Sequence, residues 1–78
     1  MVTTTNALDV SPILAEGREL LHSDPAGAAE RAGRVLALVP HSPDGYRLLG
    51  AALRRLGQDA AANDAELAAI SIVRIAWW

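Results

Sequence analysis

The stretch Ser42-Pro43-Asp44-Gly45-Tyr46-Arg47-Leu48-Leu49-Gly50-Ala51-Ala52-Leu53-Arg54-Arg55-Leu56-Gly57 decides how the chain is read. Ser42 offers a side-chain oxygen to the unpaired amides of a first helical turn. Pro43 follows at a position whose missing N–H would have had no intrahelical partner. Gly57 stands where a left-handed residue closes a helix. Between them Tyr46, Leu49, Leu53 and Leu56 recur at helical spacing, with Gly50 on the same side. That spacing predicts a half-buried helix over 43–56.

The same punctuation recurs outward from this stretch. Ser11-Pro12 and Asp24-Pro25 are two further cap-and-proline starts, and Asp59 before Ala60 offers a fourth. Pro40 stops the second segment, because the residue before a proline is pushed out of the helical region. Helices are predicted over 12–21, 25–39, 43–56 and 60–73. Their apolar stripes are Ile13, Leu14, Leu20 and Leu21 in the first, and Ala28, Ala32, Val35, Leu36 and Val39 in the second. In the fourth they are Ala61, Ala65, Ala68 and Ile72, with Leu67 and Ile70 beside them. Short connections make consecutive helices antiparallel. The expectation is an all-α domain of four antiparallel helices over 11–70, with a loose N-terminal arm over 1–10 and a hydrophobic tail over 71–78.

Composition narrows the function. The 78 residues contain no cysteine, so disulfides and thiolate metal sites are excluded. Seven basic residues, all arginine, against nine acidic ones give a net charge of −2, which argues against nucleic-acid binding by bulk charge. No apolar run reaches the ~20 residues of a membrane span, and residues 1–10 lack the basic and apolar regions of a signal peptide. A cytoplasmic protein is the expectation.

The segments repeat. Ala28 and Ala62 stand 34 residues apart, as do Val35 and Ala69, Leu36 and Ile70, and Leu38 and Ile72. Gly17 and Gly50, and Leu20 and Leu53, stand 33 apart. On these residues the chain resembles the tetratricopeptide (TPR) repeat, a helix-turn-helix unit of ~34 residues. Tyr46, Leu49-Gly50, Leu53, Gly57 and Ala62 are similar to one motif; Gly17, Leu20, Ala28, Leu36 and Pro40 resemble a degenerate first copy. Glu66 departs from the pattern where a large apolar residue is usual, and Arg74 stands in place of the closing proline matched by Pro40. The resemblance implies two stacked repeats. Such units bury their apolar faces against neighbours, so with only two a homodimer or a complex with a larger partner is expected.

Catalysis has no support in the residues. His22 and His41 each fall in a loop without a spaced acid, the carboxylates lack the spacing and apolar setting of a tuned pair, and no cofactor is implied. Glu30 and Arg34 suit a surface pair at i, i+4. The resemblance makes the first helix of each unit the lining of a concave groove. Its groove-facing positions are Leu14, Arg18, Leu21 and His22, then Asp44, Arg47, Ala51, Arg54 and Arg55. Arg18, Arg47, Arg54 and Arg55 would bind an acidic protein partner through forked hydrogen bonds; the alternative is a solvated face.

Ile70-Ser-Ile-Val-Arg-Ile-Ala-Trp77-Trp78 is β-branched and aromatic after an alanine-rich helix, and both tryptophans are its final two residues. One reading is a continuing fourth helix whose indoles cover the open end of the stack. The other is a presented segment. A small helical leader followed by a short aromatic C-terminal segment looks like a bacterial ribosomally made precursor peptide (RiPP), in which a leader recruits a tailoring enzyme to modify the core. The functional expectation is therefore a non-catalytic recognition domain presenting Trp77 and Trp78 to a partner or modifying enzyme. A TPR adaptor using its arginine groove is the alternative.

Overall fold

Four helices run in chain order: α1 (Ser11–Ser23), α2 (Pro25–Leu38), α3 (Pro43–Arg55) and α4 (Asp59–Ala76). The computed structural model describes residues 9–76, and no strand occurs among them. The prolines and caps set two of the starts as the sequence anticipates. Asp24 accepts the Gly27 N–H at 3.0 Å, and buried Ser42 accepts the Gly45 N–H at 3.0 Å. Such a cap stabilises a helix by about 1 kcal/mol. Gly57 has φ +80°, and the Gln58 and Gly57 amides return to the Leu53 and Arg54 carbonyls at 2.9 and 3.1 Å. This is the paired closure of a Schellman motif, which places the glycine in the left-handed region.

The first start differs from expectation. Ser11 lies inside α1, Val10 holds the cap position, and the Ser11 amide donates to Asp9 Oδ1 at 3.1 Å. Val10, placed in the arm by the sequence reading, packs against the core. Asp59 likewise belongs to the first turn of α4, where its charge suits the positive helix end. The fourth helix runs on to Ala76, three residues beyond its expected end, so residues 71–76 are helical.

Connectors of one, four and three residues turn the chain between helices. Packing is sequential: α1 on α2, α2 on α3, α3 on α4, with α1 also touching α3. Among the described residues α4 meets α3 alone, which makes the domain an open stack rather than a closed four-helix bundle. The core is built of small side chains. Leu14, Val35 and Leu48 pack with Ala32 at its centre, and Ala28, Ala52, Ala62, Ala65 and Ala69 are buried around them. Glycines let the helices approach. A Cβ on Gly45 would come within 2.9 Å of Val35 Cγ1, and one on Gly50 within 3.3 Å of the Ala62 carbonyl oxygen.

On α3 and α4 most of the buried stripe is displaced by one residue from its expected positions, although Gly50 and Ala65 are buried as expected. On α3 the buried positions are Gly45, Leu48, Gly50 and Ala52, while Tyr46, Leu49 and Leu53 are half-buried and Leu56 is exposed. On α4 they are Ala62, Ala65 and Ala69; Ala61 is exposed and Ala68 half-buried. Of the pairs spaced 33 or 34 apart, Gly17 with Gly50, Ala28 with Ala62 and Val35 with Ala69 are buried and Leu20 with Leu53 half-buried, whereas Leu36 with Ile70 and Leu38 with Ile72 differ in exposure.

Gly33 has open space where a Cβ would stand and is exposed on α2. Gly33→Ala should therefore stabilise the domain by about 0.5–1 kcal/mol, the helix-propensity difference with no clash to oppose it. A higher denaturation midpoint with an unchanged slope is the expected reading.

Candidate protein-interaction surfaces

Seven arginines supply all the positive side-chain charge apart from histidine, and most are tied within the fold. Arg31, half-buried on α2, is held by Glu16 of α1 and by Glu30 of its own helix. Its hydrogen bond to Glu16, and the two nearby carboxylate charges, outweigh partial desolvation and raise its pKa above the ordinary value. Glu30 also takes Arg34 at 3.0 Å, the i, i+4 pair expected from the sequence.

The expected arginine patch divides in two. Arg47 donates to Asp44 at 3.1 Å within α3. Arg54 reaches across to α4, donating to Glu66 Oε2 at 2.8 Å and to Asn63 Oδ1 at 3.1 Å. The hydrogen bond and charge of Glu66 raise the Arg54 pKa. Arg18 and Arg55 are exposed and have no ion pair among the described residues. On α3, positions 47, 51, 54 and 55 share one side, as their spacing requires. Leu14, expected in the groove, lies in the core at 6% exposure; Leu21 is half-buried and packs against the core.

Glu66 has a local explanation. Its stem lies against Gly50, where a Cβ would come within 3.1 Å of Glu66 Cγ, and its carboxylate emerges to meet Arg54. A long side chain can lay its stem along the neighbouring helix and keep its charged head in water. The interhelical pair Arg54–Glu66 was not readable in the sequence, because its members stand twelve residues apart on different helices.

His22, expected in a loop, lies in the last turn of α1, which runs on past its expected end, and His41 lies in the connector before α3; both are exposed. No cluster of three or more metal-ligating side chains occurs among the described residues. No helix among them is long and apolar enough to cross a membrane. Trp77 and Trp78 lie outside the described residues. Large apolar side chains stand exposed on α4: Leu67 at 60% and Ile70 at 52%. No protein-family model, curated protein or solved structure matches the chain.

Proposed function

We propose that this chain is a non-catalytic recognition domain of two TPR-like helix pairs, and that it presents the Trp77-Trp78 segment, which follows α4 in sequence, to a protein partner. An enzyme that modifies the electron-rich indoles, as in precursor-peptide systems, is the partner class that suits the segment best. The supporting observation is the length of α4. Helix α2 ends at Leu38, the counterpart of Ile72, just before Pro40. Arg74 replaces that proline and no stop intervenes, so α4 continues four residues further, to Ala76. The overrun is about 6 Å of helix at 1.5 Å per residue, and it leads the chain directly to Trp77.

Deleting residues 76–78 tests the proposal. If the segment is presented, the thermal midpoint stays unchanged, and native protein coexpressed with its neighbouring enzymes carries a mass shift at an indole. A lowered midpoint with an unmodified mass would make the tryptophans a hydrophobic cap and contradict presentation.

The adaptor reading rests on a different observation, the exposed and unpaired state of Arg18 and Arg55 among the described residues. It expects a glutamate-rich peptide to bind with strong salt dependence and to be lost in the Arg18→Glu/Arg55→Glu variant.

A further inference from the structure

We infer that the outward face of α4 is a two-fold association surface, and that its occupant is a second copy of this chain paired antiparallel along α4. The inference extends the reading of α4 as the open edge of the stack. It does not depend on what happens to Trp77 and Trp78.

The face is defined by what α3 leaves uncovered. Ala62, Ala65 and Ala69 form the buried stripe of α4. At 100° per residue, Asn63, Asp64, Leu67, Ile70, Ser71 and Arg74 occupy the opposite half. All six are exposed, and two are large aliphatic side chains. An unbranched solvated surface would carry polar residues at positions 67 and 70. Leu67 and Ile70 instead stand together one helical turn apart.

Charge chooses the orientation. Asp64 and Arg74 flank the apolar pair and have no ion-pair partner among the described residues. A parallel pairing would set each charge against its own copy. An antiparallel pairing about the midpoint between residues 68 and 69 sets Leu67 level with Ile70 of the second copy. The same register brings Arg74 level with the second copy's Asn63 and within one residue, about 1.5 Å along the axis, of its Asp64. The arrangement is isologous, so every contact is made twice. One face of an 18-residue helix gives an interface at the small end of the range for specific complexes. The dimer should therefore dissociate in roughly the micromolar range.

Sedimentation velocity on the full chain, from about 5 to about 500 µM, tests the proposal. A monomer–dimer equilibrium is expected. Leu67→Asp/Ile70→Asp should be monomeric throughout with an unchanged helical circular dichroism spectrum, since both positions are already exposed. Asp64→Arg should weaken the dimer about tenfold by setting like charges together, and Asp64→Arg/Arg74→Asp should restore most of that loss. A wild-type chain that stays monomeric, a dimer indifferent to the Leu67 and Ile70 changes, or growth beyond the dimer by head-to-tail stacking would each overturn it. Failure of the double reversal to restore affinity would overturn the antiparallel register. Presentation of the tryptophans is read separately, by mass and thermal midpoint.

Discussion

Leu48→Ala should remove about 2–5 kcal/mol of folding stability, the largest loss expected from any single truncation in this chain. Leu48 is 4% exposed and packs with Leu14, Ala32 and Val35. Of these neighbours Ala32 has no rotamer with which to fill a void and Val35 is stiff at χ1. The cavity is therefore filled only in part, which adds to the lost transfer free energy. At roughly 0.05–0.15 kcal/mol per residue a domain of this size has about 4–12 kcal/mol in total, so the variant sits near the edge of folding. Leu49→Ala is the control. Leu49 is half-buried, and its loss should cost roughly half as much or less. Urea unfolding of both variants checks the order; a larger loss at Leu49 would mean that α3 is rotated from the orientation described.

Gly17→Val should also destabilise, by about 1–3 kcal/mol, although it replaces the poorest helix former short of proline. A Cβ at Gly17 would overlap Leu48 Cδ2 and stand 3.2 Å from Arg31 Cβ. Arg31 Cβ is fixed to the α2 backbone, and Leu48 is enclosed by the core, so neither neighbour yields cheaply. The propensity gain from glycine to valine is only a few tenths of a kcal/mol, and overpacking wins. Gly33→Ala, with the same kind of helix-propensity gain and no neighbour to meet, should move the other way. The opposite signs at two helical glycines come from packing alone.

The boundaries of this fold were legible because the chain marks them chemically. Asp24-Pro25, Ser42-Pro43, Pro40 and Gly57 each impose a local backbone geometry that does not depend on distant residues. The rotation of the helices was not legible. On α3 the frame of Tyr46, Leu49 and Leu53 and the frame of Leu48 and Ala52 are both apolar, and periodicity cannot choose between them. The choice is made by Leu14 of α1 and Ala32 and Val35 of α2, which pack on Leu48, and by Gly45, a residue with no hydrophobic signal that lets α3 approach Val35 and Leu36. On α4, alanines at positions 60–62, 65, 68 and 69 fit adjacent frames equally well. For the arginine patch, the sequence reading placed four guanidinium groups along α1 and α3. Asp44 stands three residues before Arg47, a pairing that helical spacing offers, whereas only the tertiary structure brings Glu66 of α4 to Arg54.

Tryptophan fluorescence reads presentation itself, because the two tryptophans stand adjacent at positions 77 and 78 and all of the indole emission comes from that segment. Acrylamide quenching is measured on the folded domain and again in denaturant, with helicity followed in parallel. Presentation predicts equal quenching and the same emission maximum in both states, while the helical signal is lost only in denaturant. Blue-shifted, protected emission in the folded domain that is released together with the helices would show the indoles packed on the stack, and would contradict the account.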